Sequence, residues 1–233
     1  MNAFRSMLTK EVKAYLNTPL ALVYTVVFLV LSNAFAFYLG DFFEIGQASL
    51  QTYFRLLPWV LLLLLPALTM RSWAEEFRSG TFELLDSLPV PPWQLIFAKL
   101  AGLWLVAAIA LLLTFPLWIT VSWLGQPDQG TIILSYAGSL MLLAAMLSVG
   151  LCISSMSDNQ LVVYLFTALV ILLYLLAGYP LALNPIRDIF PQGLVDLIAS
   201  FSFLDYQQAI IRGVLELRAV FFLAATCIFW LLL

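Results

Sequence analysis

Histidine is absent from this sequence of 233 residues, and cysteine and charged residues are scarce. Without histidine the chain cannot build a serine–histidine–aspartate triad, a histidine haem ligand or most zinc sites. Cys152 and Cys227 lie far apart in apolar runs, which favours buried hydrophobic side chains over a redox or metal motif. No basic stripe for nucleic acid occurs. Nor does the phosphate-binding pattern G-x-x-x-x-G-K-[ST], so this chain has no P-loop of its own for ATP hydrolysis.

Apolar residues, in contrast, are abundant. They make up 64% of the chain and charged residues only 10%, whereas soluble domains average about 45–50% and about 25%. This composition predicts an all-α integral membrane protein. Charged residues near the start, from Arg5 to Lys13, interrupt any leader-like run, and we expect no cleavable signal peptide.

Residues 1–17 show the pattern of an amphipathic helix. Apolar side chains recur at helical spacing from Phe4 to Leu16, and the charged residues, Glu11 among them, fall largely on the other side. Such a helix lies in the headgroup plane with its basic side towards anionic lipid. The alternative is a frayed tail. Asn17-Thr18-Pro19 then predicts a cap and a first-turn proline that lead the chain into the membrane.

Six hydrophobic runs follow, and each is long enough, or nearly so, to cross a bilayer of about 30 Å. Asn33 in the first run is expected to bond across a helix interface. Pro58, Pro66 and Pro116 predict bends. Small residues in the fourth run favour close helix contacts. The predicted spans are residues 20–39, 53–70, 99–124, 131–156, 159–179 and 218–233.

The loop at residues 71–98 is the longest charged interruption of the chain. Within it, Thr81 suits a helix N-cap, residues 82–88 have a helical pattern, and Pro89 ends that pattern. A short capped helix in an aqueous loop predicts a handle for a soluble partner. The alternative is a set of solvated loop charges.

Residues 180–217 mix apolar and polar positions and predict two short helices, at residues 194–203 and 206–215, that dip into the membrane and return.

Lysine and arginine favour the cytoplasmic side, so their distribution predicts an N-terminus inside, with residues 71–98 cytoplasmic and 180–217 extracytoplasmic. Both termini are then cytoplasmic. The sequence stops within its last hydrophobic run, and we expect further residues in the native protein. The predicted cytoplasmic set is Arg5, Lys10, Lys13, Arg71, Arg78 and Lys99, against Arg55, Arg187, Arg212 and Arg218 outside.

The loop motif resembles that of ABC-2-type exporter permeases, E-E-x-x-x-G-T-x-E-x-L…P…K. It reads here Glu75-Glu76-Phe77-Arg78-Ser79-Gly80-Thr81-Phe82-Glu83-Leu84-Leu85, with Pro89 and Lys99 after it. A second run, Arg212-Gly213-Val214-Leu215-Glu216-Leu217-Arg218, is similar to the one before the last helix in the branch called gliding-motility-associated permeases. The likeness covers essentially the whole chain.

The resemblance implies a fold like that of type V exporters, with six spans, an N-terminal interfacial helix, a cytoplasmic coupling helix and short extracytoplasmic helices. It implies two permease chains, as a homodimer or with a related second permease, in a bacterial cytoplasmic (inner) membrane. A separate P-loop ABC ATPase would bind ATP and magnesium and grip the coupling helix. The expected ATPase-coupling residues are Glu75, Glu76, Arg78, Gly80, Thr81, Phe82, Glu83, Leu84, Leu85 and Leu88.

Other functions stay open. A membrane scaffold that relays an ATPase cycle to periplasmic partners fits the same sequence. An intramembrane enzyme would need catalytic groups in the spans, which offer no histidine and no pair of acids. No substrate residue is predicted, and a lipidic, hydrophobic or peptide cargo is favoured over an ion or a sugar.

Overall fold

The computed structural model describes residues 3–16, 18–39, 49–86, 91–179, 182–184, 191–214 and 216–233, and all regular elements in these ranges are helical. The predicted all-α class is therefore confirmed for this part of the chain. The main helices are α1 (Ala3–Leu16), α2 (Pro19–Ala34) with a π-helical turn (Phe35–Leu39), α3 (Gln51–Thr69), α4 (Ala74–Ser79), α5 (Thr81–Asp86), α6 (Pro92–Leu112), α7 (Phe115–Leu124), α8 (Gln129–Ser154), α9 (Gln160–Leu176), α10 (Gln192–Ala199), α11 (Phe203–Ile211) and α12 (Leu217–Leu232).

Four helical stretches in the described ranges are long and apolar enough to cross a membrane: Ala21–Tyr38, Gln51–Ser79, Pro92–Leu124 and Gln129–Ser154. The helices at the predicted fifth and sixth spans, α9 and α12, have 17 and 16 residues. At about 1.5 Å per residue they reach about 25 Å, short of a hydrocarbon core of about 30 Å. A total of six spans stays a prediction.

Helix α8 lies at the centre of the fold and packs against α3, α6, α9, α11 and α12. Two of its glycines explain the closest approaches. A Cβ atom added at Gly138 would lie 2.5 Å from Cγ2 of Ile210 on α11, and one at Gly150 would lie 2.8 Å from Cβ of Thr69 on α3. Small residues permit such contacts between membrane helices, as the composition of the fourth predicted span suggested.

Polar side chains cap several helices. The Asp128 carboxylate starts α8 by accepting hydrogen bonds from the amides of Gly130 and Thr131 and from the Thr131 hydroxyl. These bonds hold the pKa of Asp128 below its usual value. Asn159 caps α9 in the same way. Pro19 lies in the first turn of α2 after Thr18, as predicted, while Asn17 lies outside the described residues.

The structure bears on two expectations for the first and third hydrophobic runs. The Asn33 amide donates to the Leu29 carbonyl of its own helix, at 2.6 Å. Its second N–H and its oxygen can still bond elsewhere, so a bond across a helix interface stays a prediction. The helix of the third run begins at Pro92, before Lys99, and it breaks between Leu112 and Phe115, just before Pro116, where a bend was predicted.

Candidate functional site: the charged loop and its supports

The charged loop folds into two short helices, α4 and α5, which together we call the α4–α5 handle (residues 74–86). Gly80 joins them with a φ of 70°, in the left-handed region that glycine adopts readily. The sequence predicted Thr81 as the N-cap, the residue before the helix. In the structure the second helix starts at Thr81 itself, so this prediction is wrong by one position. The Thr81 hydroxyl instead contacts the Ser79 hydroxyl at 2.9 Å. Leu88 and Pro89 lie outside the described residues.

Lys99 supports the handle from beneath. Its ammonium lies 2.8 Å from Oε1 of Glu76 on α4 and 3.5 Å from Oε1 of Glu11 on α1. It also donates to the Ser72 carbonyl at 3.0 Å and lies 4.7 Å from the centre of the Trp73 ring. We call these five residues the Lys99 cluster. The cluster joins α1, the start of the handle and α6 through one side chain.

Burial makes the contacts of Lys99 strong. The residue is 1% exposed, and an ammonium at such depth needs charged and hydrogen-bonding partners to offset its lost hydration. Two carboxylates, one carbonyl and one aromatic face provide them. Oε2 of Glu76 is buried without a hydrogen-bond partner among the described residues. The cluster therefore holds two carboxylates for one ammonium, and one carboxylate oxygen has no donor in the described part of the chain.

Glu11 corrects the predicted surface of the first helix. The spacing of apolar residues placed it with the exposed charges, but it is buried. Gly102 on α6 explains how α1 comes so near, because a Cβ atom added there would lie 3.1 Å from Cβ of Glu11. The periodicity of α1 alone could not reveal this, since the partner that attracts Glu11 is Lys99, 88 positions further along the chain.

A second support connects the handle to the central helix. The hydroxyl of Ser154, the last residue of α8, accepts hydrogen bonds from the backbone amides of Trp73 at 3.0 Å and Ala74 at 3.3 Å. The first amides of a helix lack partners within it, so this hydroxyl completes the start of α4. All three residues are buried. The handle is therefore fixed to α8 as well as to α1 and α6.

An aromatic cluster fills the space between the two helices of the handle. The rings of Phe77 and Phe82 have centres 4.7 Å apart, and the Trp73 ring lies 6.1 Å from that of Phe82. Phe82, which was expected to contact a partner, is therefore partly buried within the chain's own packing. The side chains of Leu84 and Leu85 lie outside what the structure describes, although their backbone is helical.

The outward side of the handle is polar. The predicted coupling residues that are exposed are Glu75, Arg78, Gly80, Thr81 and Glu83. Glu76 and Phe82 face inward, as their contacts with Lys99 and Phe77 show. The structure thus divides the predicted set into an exposed charged face and inward-facing residues that hold the handle together.

The sequence analysis placed Lys99 at the end of the loop motif and at the cytoplasmic edge of the third span, and it did not predict the partners of this side chain. A signal was available for Glu76, because a cation that begins a long apolar run needs a nearby anion, and the loop supplies several. No pattern in the sequence identified Ser72, Trp73 or Ser154. Among the described residues, no group of three metal-ligating side chains occurs that could hold a metal ion.

The second motif lies at the opposite end of the fold. Gly213 has a φ of 81° after the end of α11, and a Cβ atom there would lie 2.7 Å from the Thr131 hydroxyl oxygen. Glycine therefore suits this close turn. Arg212 is exposed, and Leu215 lies outside the described residues. Helices α10 and α11 correspond to the two predicted short helices, with both starting and ending earlier than expected.

Comparison with known proteins identifies the family of this chain. No curated protein matches this sequence at a significant level. A model of the family described as "ABC-2 family transporter protein" matches residues 5–232, which include the α4–α5 handle, the Lys99 cluster and the second motif. Such a match over nearly the whole chain agrees with several apolar helices and with a multi-pass membrane protein. The chain therefore belongs to the ABC-2 family of transporter proteins.

Proposed function

We propose that this chain is the permease subunit of an ATP-driven transporter and that a separate P-loop ATPase docks on the α4–α5 handle. The single observation that carries the proposal is the handle itself, which is exposed on one side and fixed on the other by Lys99 of α6 and Ser154 of α8, with Lys99 also paired to Glu11 of α1. Family membership supports an ATPase partner. Because the chain lacks a P-loop motif, ATP and magnesium would bind to that partner.

The supports suggest how movement would pass into the membrane. A partner that displaces α4 would pull on α6 and α1 through Lys99 and on α8 through Ser154, since each contact is buried and directional. The unpartnered oxygen of Glu76 leaves the Lys99 cluster one further way to pair when the handle moves. ATP binding would have to favour one arrangement over the other to shift their populations.

The remaining features follow the family resemblance. We propose a homodimer or a pair with a related permease, a bacterial inner-membrane location with the N-terminus in the cytoplasm, and a role in export or envelope remodelling. The narrower likeness to gliding-motility-associated permeases rests on the run from Arg212 to Arg218. It carries no cargo assignment.

Co-purification of the ATPase tests the docking surface. Reversing two exposed charges together, Arg78→Glu with Glu83→Arg, should reduce the ATPase recovered with the permease at least tenfold, and Leu85→Asp should abolish recovery. Arg218→Glu is the matched control, because it reverses an exposed arginine at the far end of the fold. Full ATPase recovery with all the handle variants, while each remains in the membrane, would refute docking on this loop.

A non-transport scaffold is the alternative for the same handle, because transmission of force to periplasmic partners would use the same supports. Reconstitution with the ATPase in liposomes separates the two functions. Stimulation of ATP hydrolysis by a transported compound favours the transporter. Hydrolysis that responds only to an envelope partner favours the scaffold.

A further inference from the structure

A groove lies between α3 and α11, at the end of the fold opposite the handle. Two adjoining cavities form it, of about 320 Å³ and 270 Å³, and they share Arg55, Gln208 and Ile211 in their walls. Arg212 lines the second cavity together with the first residues of α3. Trp59, Tyr179 and Gln207 line the first. We call these lining residues the α3–α11 groove.

The groove is rich in positive charge. Arg55 and Arg212 line one cavity, and neither forms an ion pair with any residue that the structure describes. The first turn of α3 adds the positive end of the helix dipole and contains no acidic residue, although the Gln51 amide already donates to the Ser49 hydroxyl. Asp128 lines a neighbouring cavity with Arg212, but it accepts the capping bonds of α8 and forms no ion pair with that arginine. Two guanidinium groups that form no ion pair with a described residue favour an oxyanion between them.

Gln207 adds a second requirement. The Ser139 hydroxyl donates to the Ser135 carbonyl at 2.7 Å, so it can only accept from Gln207, 3.0 Å away. The Gln207 amide must therefore turn its NH₂ group towards Ser139, which fixes the position of Oε1. Oε1 is buried and has no donor among the described residues, in a side chain that is only 2% exposed. Gln207 lines the wall of the first cavity, so a small rotation of the neighbouring side chains would let the hydroxyl group of a ligand supply that missing donor.

The walls of the groove also include apolar surface. The rings of Trp59 and Tyr179 meet edge to face with centres 6.1 Å apart, and Leu56 and Leu204 lie beside them. Aromatic side chains with a polar edge are typical of the boundary between lipid and water. A small inorganic anion would leave this apolar part of the groove unused, whereas an amphiphile would cover it.

We propose that the α3–α11 groove binds the headgroup of an anionic amphiphile that carries a phosphodiester and an adjacent hydroxyl group. Arg55 and Arg212 donate to the phosphate oxygens, and Oε1 of Gln207 accepts from the hydroxyl. Trp59 and Tyr179 cover the start of the apolar part. The site goes beyond the proposed ATPase coupling and does not depend on it, because none of its residues belongs to the handle.

Titration of the purified full-length permease, without ATPase and in a non-ionic detergent, tests the site by isothermal calorimetry. The probes are dioctanoyl phosphatidylglycerol, dioctanoyl phosphatidylmethanol, which keeps the phosphodiester but lacks the hydroxyls, and soluble glycerol 3-phosphate. We expect phosphatidylglycerol to bind most tightly. Equally tight binding of glycerol 3-phosphate would show that the ligand is a soluble phosphate ester, and it would overturn the proposal that the groove binds an amphiphile.

Variants assign the binding to individual residues. Arg55→Gln combined with Arg212→Gln should weaken phosphatidylglycerol binding at least tenfold, whereas Arg218→Gln, an exposed arginine outside the groove, should leave it unchanged. Gln207→Met should remove the preference for phosphatidylglycerol over phosphatidylmethanol and keep the binding of the phosphodiester. Melting temperatures within a few degrees of the native chain establish that each variant is folded.

Unchanged binding in the double arginine variant would overturn the proposal, because the two arginines would then not contribute to binding. An equal loss in Arg218→Gln would overturn it too, because binding would then depend on overall positive charge and not on the groove. Absence of binding by all three probes to the native permease would overturn it as well. Because no ATPase is present, these outcomes do not depend on whether the handle docks a partner.

Discussion

The two ends of this molecule treat positive charge in opposite ways. At the handle, Lys99 is buried and has two carboxylates, a carbonyl and an indole ring around it. In the α3–α11 groove, Arg55 and Arg212 are exposed to the groove and no described carboxylate pairs with either. A buried cation must have its partners within the chain, whereas an exposed one can keep its bonding capacity for a ligand. The first arrangement suits transmission and the second suits recognition.

The two ends also hold their helices together by different means. Charge and hydrogen bonds to side chains fix α4 to α1, α6 and α8. Close steric contact fixes α11, because Gly138 lies against Ile210, and the amide of Gln207 adds one bond to Ser139. Substitutions at the two ends should therefore change the free energy of unfolding almost additively, because the two sites lie far apart.

Replacing the buried cation should have the largest effect. Lys99→Met leaves two carboxylates without their cation, and we expect the free energy of unfolding to fall by about 3–5 kcal/mol. The change should also separate ATPase binding from stimulation of ATP hydrolysis, because the handle loses its link to α6. Unfolding in mixed detergent micelles measures the stability. Lys13→Met, at an exposed lysine of α1, is the control, and an equal loss in that variant would contradict the role of the cluster.

Filling the contact beneath α11 should have a smaller effect at the other end. Gly138→Val places new atoms against Ile210, and overpacking of this kind lowers the free energy of unfolding by about 1–3 kcal/mol. We expect weaker phosphatidylglycerol binding and unchanged recovery of the ATPase. Gly193→Val is the matched control, since nothing lies within 4 Å of a Cβ atom there. Loss of ATPase recovery in Gly138→Val would show that the ends are not independent.

Removing the hydroxyl that completes α4 should have the smallest effect of the three. Ser154→Ala leaves the amides of Trp73 and Ala74 without their acceptor, at an expected cost of about 1–2 kcal/mol in the free energy of unfolding. Amide hydrogen exchange should accelerate at the start of α4 and remain unchanged in α11. The neighbouring Ser155→Ala removes only a bond to the carbonyl of Cys152 and serves as the control. Equal amide exchange in Ser154→Ala and Ser155→Ala would show that the Ser154 hydroxyl does not stabilise the start of α4.

Much of the fold was accessible from local patterns. Apolar runs of span length predicted the all-α class because a backbone in lipid must bond to itself, and helices achieve this within one segment. Pro19, directly after Thr18, marked the first turn of α2. The exact limits of the third run were not accessible, because Lys99 suggested a membrane edge and its burial depends on partners from other helices.

The candidate site was predicted only in part. The loop motif indicated a handle and its polar residues, and Glu75, Arg78 and Glu83 are exposed. The inward packing of Phe82 and Glu76 was missed, since a short helix can present an aromatic ring to a partner or to its own chain, and only the neighbours decide. Docking by an ATPase stays a prediction for these residues.

The sequence by itself determined that this is a helical membrane protein without histidine chemistry or a P-loop, and where its charged loop lies, because composition and periodicity are properties of single segments. Only the tertiary structure decided that Lys99 pairs with Glu11 and Glu76, that Ser154 completes α4, and that Arg55, Gln207 and Arg212 line one groove. These residues lie tens of positions apart in the chain. Their contacts depend on how helices pack. Small residues such as Gly102 and Gly138 allow close packing, but their presence in the sequence does not predict which residue of another helix lies against them.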